Sequence, residues 1–355
     1  MKSVRAYLSW LPTLCTISIV CMLMAGIAAA QPVDGGEENK KITDRGSKIA
    51  PLVTEKIKGA VSGEELPLII FYKTGFSRTM AQDMAIVESH GGKVKHRYRL
   101  IDAVSAKMPA DRIAELAESP DIEKIYYDEI YKIPPEPTPG QNESIKLDVS
   151  TQTIGANYAR DTLGFTGSGI TVAVIDTGID YNHPDLGGGW GNRVVGGYDF
   201  SNGDINPMDD HGHGTHVAGI VGANGTLKGV ASDVDLLAVK VLDAVGEGSA
   251  SDIIAGIDWA VANGADIISM SLGGNYQPND EFASPSTIIV DAAVDAGVVV
   301  VIAAGNEGPG TGTTASPGTG RKVITVGASD DKGTVDTSDD AIADFSNRGP
   351  SAFGR

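Results

Sequence analysis

The chain has 355 residues, 41% of them apolar, with 45 glycines and a formal net charge of −18. That length admits two domains and a processed leader. The acidic balance, with no cluster of Lys and Arg beyond the first hundred residues, argues against nucleic acid as a partner, because neutralising phosphate requires concentrated positive charge.

Lys2 and Arg5 precede an apolar run over 11–29, and Ala28, Ala29 and Ala30 stand before Gln31. Positive charge, apolar stretch and small residues in that order read as a signal peptide over 1–30, rather than a membrane anchor. A secreted protein with no membrane association after cleavage is the expectation. Both cysteines, Cys15 and Cys21, lie inside the leader, so the mature chain has neither disulfide nor thiol chemistry. Residues 31–63 are polar and rich in Gly and Lys, which predicts a flexible segment.

Over 64–132 the pattern becomes regular. Strands are expected at 66–72, 94–108 (as one or two) and 122–131, with helices at 80–89 and 110–118. The order β-α-β-β-α-β describes a small α+β domain of ferredoxin-like type. Ile133 is followed by Pro134, Pro135, Pro137 and Pro139, which favour extended chain and mark 133–150 as a linker.

The remainder, 151–355, alternates differently. Apolar strands at 170–175, 236–242, 267–270, 298–303 and 323–326 are separated by helices at 215–223, 251–262 and 287–296. Continuous apolar strands joined through helices predict an α/β fold, a parallel doubly wound sheet covered on both faces. Functional groups of such sheets gather outside the carboxyl ends of the strands.

Three strand ends carry chemistry. The first is Ile175-Asp176-Thr177-Gly178, where a carboxylate follows buried apolar residues and needs a partner. Alone, Asp176 is as well read as a turn residue. The tripeptide also occurs in aspartic proteases, but those need a second carboxylate to share the proton, and the tripeptide occurs once here. The second segment runs from Asp209 through His211, His213 and His216 to Gly219. Three histidines so close suggest zinc, but His-x-x-His lacks the glutamate of the helical zinc-protease pattern. His213 instead stands where a glycine-flanked turn opens a helix. The helix dipole disfavours imidazolium there and a nearby carboxylate favours it, which suits a general base. The third is Ala303-Ala304-Gly305-Asn306-Glu307-Gly308, where Asn306 offers an amide donor at the cleft.

Taken together, Val-Ile-Asp-Thr-Gly-Ile-Asp at 174–180, His-Gly-Thr-His-Val-Ala-Gly at 213–219, Ser-Leu-Gly-Gly at 271–274 and Ala-Ala-Gly-Asn-Glu-Gly at 303–308 resemble the subtilisin-like serine proteases (subtilases, peptidase family S8). The likeness covers about 153–355. It implies that Asp176 orients His213, that His213 deprotonates a serine, and that Asn306 donates to the oxyanion. An amide in that role is worth roughly 3–4 kcal/mol, a figure known from subtilisin itself. By the same likeness Ser271, Leu272 and Gly273 form one edge of a peptide-binding slot and Gly246, Glu247 and Gly248 the other, with polypeptides as substrates. Glu247 would favour basic or polar side chains. The domain at 64–132 resembles the family's inhibitory propeptide, which implies an intramolecular inhibitor and folding aid processed within 133–150.

The chain departs from the family in one respect. The nucleophile's Gly-Thr-Ser-Met-Ala-like motif is absent, and Ser346 and Ser351 belong to the segment that precedes it. A secreted endopeptidase zymogen cut before its serine, and inactive as it stands, is therefore expected. The alternatives are an inactive pseudoprotease or peptide-binding protein, or a first domain acting alone as inhibitor and chaperone. The chemistry requires no cofactor. The family often carries structural calcium, and Asp185 matches one ligand position, but the loop over 223–229 is short, so calcium at Asp185 is not expected.

Overall fold

In the computed structural model the described residues are 47–74, 78–133, 147–274 and 284–350. The leader over 1–30, residues 31–46, the prolines of the linker and Ser351 lie outside them. Among the described residues no helix is long and apolar enough to cross a membrane.

Helix α1 (Pro51–Gly59) corrects the expectation of flexibility over 31–63. Proline occupies its first turn and Lys56 and Lys58 its last, each suited to that end of a helix. Val53 and Ile57, one turn apart, form an apolar stripe inside a polar stretch; Val53 is fully buried and Ile57 packs on the core. Next come β1 (Glu65–Tyr72), α2 (Met80–Ser89), β2 (Lys93–Arg97), β3 (Ala103–Pro109), α3 (Ile113–Glu118) and β4 (Ile122–Tyr127). The four strands form a sheet in the order β2-β3-β1-β4, antiparallel throughout. Helix α2 starts at a reciprocal cap. The Thr79 hydroxyl accepts from Gln82 N at 3.3 Å, and Gln82 Oε1 accepts from Thr79 N at 2.8 Å.

The single strand expected over 122–131 is two strands. Strand β4 ends at Tyr127, and β5 (Ile130–Lys132) leaves the sheet. Between them Asp128 Oδ1 accepts from Ser251 N at 2.8 Å and Glu129 O accepts from Ala250 N at 2.8 Å. Those two bonds turn the chain onto a helix of the larger sheet.

That larger sheet is parallel, as the sequence pattern anticipates, and has six strands, one more than the five expected, in the order β12-β11-β10-β6-β8-β7. They are β6 (Thr171–Asp176), β7 (Val194–Asp199), β8 (Asp235–Lys240), β10 (Ile267–Met270), β11 (Val299–Ala303) and β12 (Ile324–Val326). The main helices are α5 (His213–Gly222), α6 (Ala250–Ala262) and α7 (Pro285–Asp295), and α4 (Leu147–Thr153) precedes the sheet. Alternation sorts the strands between two faces. Val172, Val174, Leu236 and Ala238 pack with Val217 and Ala218 of α5, while Ala173, Ile175, Leu237 and Val239 share a core with α6 and α7. Ile253, Ile254 and Ile257 of α6 are fully buried, each contributing about 1.5–3 kcal/mol by leaving water. Two short antiparallel pairs complete the fold, β13 (Ser329–Asp330) with β14 (Ala341–Ile342) and β5 with β9 (Glu247–Ser249).

Candidate active site

Asp176 is the last residue of β6, and its side chain is wholly buried. His213 opens α5, behind Gly212 in a left-handed conformation (φ 102°). Nδ1 of His213 lies 2.8 Å from Asp176 Oδ1, and the imidazole keeps 15% exposure. A buried carboxylate beside Nδ1 favours the tautomer in which that nitrogen carries the proton.

Asp209 ties the two loops together. Its Oδ1 accepts from the Thr177 hydroxyl at 2.9 Å, His211 N at 3.0 Å and Gly212 N at 2.9 Å. Its Oδ2 accepts from Thr215 N at 2.9 Å and the Thr215 hydroxyl at 2.5 Å. Burial alone would raise this carboxyl, but the Thr215 hydroxyl and the amides of Gly212, His211 and Thr215 outweigh it and hold it below the usual carboxylate range. Behind the site Lys240, 1% exposed, donates to Thr177 O at 2.8 Å, Leu242 O at 3.0 Å and Asp210 Oδ1 at 2.6 Å. A lysine is buried so fully only when paired this completely.

Asn306 lies beyond the end of β11, two strands from β6 across the sheet. Its loop is braced by Asn347. Nδ2 of Asn347 donates to Ala304 O and Thr313 O, each at 2.9 Å, and its Oδ1 accepts from Glu307 N at 2.6 Å. Lys240, Asp209 and Asn347 were not singled out by sequence reasoning. Asn347 stands in the run 345–350, which the sequence marks only as resembling the segment before the family's nucleophile motif, 41 residues from Asn306.

The candidate slot residues flank a strand of the same chain. Strand β5 pairs antiparallel with β9, setting Ile130 opposite Ser249, Tyr131 opposite Gly248 and Lys132 opposite Glu247. On the other side Lys132 N donates to Gly273 O at 3.1 Å and Gly273 N to Lys132 O at 3.2 Å. Ile133 N donates to Gly246 O at 3.0 Å, and Lys132 Nζ meets Glu247 Oε1 at 2.5 Å. Gly246, Glu247, Gly248 and Gly273 therefore all engage the inserted strand. Leu272 is buried in the apolar core, and Ser271 leads into it from β10. The strand runs toward the Asp–His pair. A methyl group on Gly246 would meet Ile133 Cδ1 at 2.9 Å and His211 Nε2 at 3.4 Å, and the His211 and His213 rings are 6.4 Å apart.

The residues around Asp185 do not fit calcium. Its Oδ1 accepts from Thr226 N at 2.9 Å and its Oδ2 from Leu227 N at 3.2 Å, and these amides hold the carboxyl below the usual range. Calcium wants six to eight oxygens, whereas this carboxylate faces N–H donors. Among the described residues no group of three or more His, Cys, Asp or Glu is arranged to hold a metal, which includes the three histidines at 211–216.

The architecture is thus a parallel α/β sheet that carries at its strand ends a buried aspartate bonded to a helix-opening histidine. The family model described as the subtilase family, peptidase S8, matches residues 167–355. The chain is 40% identical over 301 residues to serine protease AprX of Bacillus subtilis (strain 168), covering 80% of this chain and 63% of that protein. It is 37% identical over 276 residues to subtilisin E of the same organism, covering 76% and 67%. With the minor extracellular protease Vpr, also of that organism, it shares 42% over 267 residues, 71% of this chain and 32% of Vpr. The chain belongs to the subtilase family. It spans a third of the length of Vpr and under two thirds of AprX.

Proposed function

We propose that this chain is part of a secreted serine endopeptidase zymogen, in which Asp176 and His213 activate a serine hydroxyl, Asn306 donates to the oxyanion, and residues 64–132 are an inhibitory propeptide. The observation that carries this reading is the strand at 130–133, held between β9 and Gly273 and directed at the Asp–His pair. Extended polypeptide is thereby the substrate class. Main-chain bonds on both sides supply affinity, and side-chain pockets supply selectivity. The propeptide occupies the slot in place of substrate and steadies a parallel sheet whose non-local contacts form slowly. No cofactor enters the chemistry. Export to the extracellular space agrees with the leader and with the printed name of Vpr, an extracellular protease.

The test uses the product of the complete reading frame, with a phosphonate probe for activated serine and a peptide-hydrolysis assay. Wild type is labelled. His213→Ala is expected to lose labelling and to drop in kcat by about 10⁴-fold or more, the order known for subtilisin. A wild-type protein that binds peptide in the slot yet never reacts with the probe is a binding protein, and the enzyme reading falls.

A further inference from the structure

The strand held in the slot uses its backbone donors up to Ile133, and the next residue has none. Lys132 N donates to Gly273 O at 3.1 Å and Ile133 N to Gly246 O at 3.0 Å. The sequence then continues Pro134-Pro135-Glu136-Pro137-Thr138-Pro139-Gly140. A proline confines the residue before it to extended backbone, so Pro134 presets Ile133 in the conformation the slot requires. Less freedom is lost on entry, and the strand binds more tightly for it.

The same prolines bear on the chemistry. In the hydrolysis proposed above, the serine oxygen bonds the carbonyl carbon while its proton passes to His213. The C–N bond then breaks, and His213 returns that proton to the leaving nitrogen. The two bonds that follow Ile133, Ile133–Pro134 and Pro134–Pro135, both have a proline nitrogen as leaving group. Its ring carbon takes the place of the amide hydrogen and crowds the imidazole that must protonate it. A displacement of about 1 Å at the reacting atoms costs about a hundredfold in rate.

Sliding the strand does not relieve the block. A cut in this linker needs a non-proline leaving nitrogen and N–H groups in the places of both Lys132 and Ile133. Prolines at 134, 135, 137 and 139 deny every register until Gly140 and Gln141 take those places, eight residues along. The strand would have to travel about 26 Å, at about 3.3 Å per residue. Asp128 and Glu129, which are bonded to the amides of Ser251 and Ala250, would have to let go first. We propose that residues 130–133 are an inhibitor the protein does not cut in place, and that maturation is intermolecular, the vacated slot of one molecule cutting the linker of a second copy beyond Gln141. This inference rests on the peptidase reading above and names how that same site is regulated.

The product of the complete reading frame tests it, with the phosphonate probe reporting the enzyme itself. Wild-type maturation is expected to show a lag that shortens as protein concentration rises and disappears when a trace of mature enzyme is added. The new N-terminus is expected at Asn142 or later. The double variant Pro134→Ala/Pro135→Ala is expected to mature about a hundredfold faster, at a rate independent of concentration, with its N-terminus at position 134 or 135. A peptide of residues 126–140 is expected to inhibit the mature enzyme and to stay intact. Amide hydrogen exchange on the 355-residue chain, with and without the double substitution, controls for the slot: Gly273, whose N–H bonds Lys132 O, is expected to stay protected in both. Concentration-independent maturation of wild type, a wild-type N-terminus before Asn142, or cutting of the peptide after Ile133 or Pro134 overturns the inference, while probe labelling leaves the enzyme reading standing. A double variant that keeps Gly273 protected and matures no faster overturns it as well. Absence of labelling overturns the enzyme reading and this inference together.

Discussion

The N-terminal four-stranded unit grips the larger sheet in two places built on different physics. At helix α6 the contacts are side-chain acceptors and charges. Asp252 bonds Lys95 and His96, each at 2.7 Å, and Asp258 Oδ1 accepts from the amides of Arg99 and Leu100, each at 2.8 Å. Tyr98 donates its hydroxyl to Ser251 O at 3.2 Å. At the slot the frame is main chain to main chain, from Ile130 to Ile133, with the side chains of Tyr131 and Lys132 added to it. The helix grip therefore depends on residue identity and on pH, whereas the strand grip depends on an extended backbone with its N–H groups intact. Only the second can be exchanged for another peptide.

The largest expected effect follows from removing a backbone donor. Lys132→Pro takes away the N–H that reaches Gly273 O and the side chain that meets Glu247, and costs the strand grip about 2–3 kcal/mol. Exchange at Gly273 rises accordingly, while limited proteolysis shows α6 still covered. If both grips fail together, the two are one cooperative contact and the comparison breaks.

Acid separates them next. Burial alone would raise the Asp252 carboxyl, but His96, Lys95 and Ser249 outweigh it and hold it below the usual carboxylate range. An acid depressed in the folded state stabilises above its ordinary value near 3.9 and loses that contribution as pH falls through the depressed one. Asp128 has the opposite sign. Burial raises it, with the Ser251 hydroxyl and amide opposing, so its contribution is present at low pH and lost as pH rises through the raised value. Asp252→Asn is expected to cost about 1–2 kcal/mol at pH 7 in urea unfolding, with half-exposed Lys95 contributing little. That difference should shrink as pH falls below the ordinary carboxyl value near 3.9 and through the depressed one, vanishing only once the carboxyl is protonated in both states. A difference that persists there would mean that the charge of Asp252 is not what matters.

The smallest effect belongs to Glu247→Gln. The Lys132–Glu247 pair is 59% and 41% exposed on its two side chains, and such pairs are worth about 0–1 kcal/mol. A few-fold loss of preference for lysine across a peptide library, erased at high salt, is expected. Unchanged preference removes Glu247 from the selectivity argument.

What could be read from sequence follows from how local each signal is. The parallel sheet was legible because its strands are continuous apolar runs, and Asp176 and His213 because each sits in a multi-residue motif. The break at Asp128-Glu129 was not legible, since charged residues also occur on the open face of an ordinary strand. Their partners are the amides of Ser251 and Ala250, more than 120 residues away. Helix α1 was hidden by composition, its stripe being only Val53 and Ile57. Asn347 and Lys240 could not be found without the fold, because most of their partners are backbone groups, which leave no residue-type signature.

The slot is one strand wide. Neighbouring strands lie about 4.7–4.9 Å apart, so its two edges stand roughly two such spacings from each other and admit one extended backbone. A strand already paired within a sheet, or a turn of helix, is too wide to enter. A folded protein can therefore enter it only where it has first come apart for several residues, at a loop tip, a frayed end or a local opening. Under the proposed peptidase reading, its half-life would be set by its own opening equilibrium as much as by its sequence. The geometry that holds this strand thus makes the slot a reader of local stability.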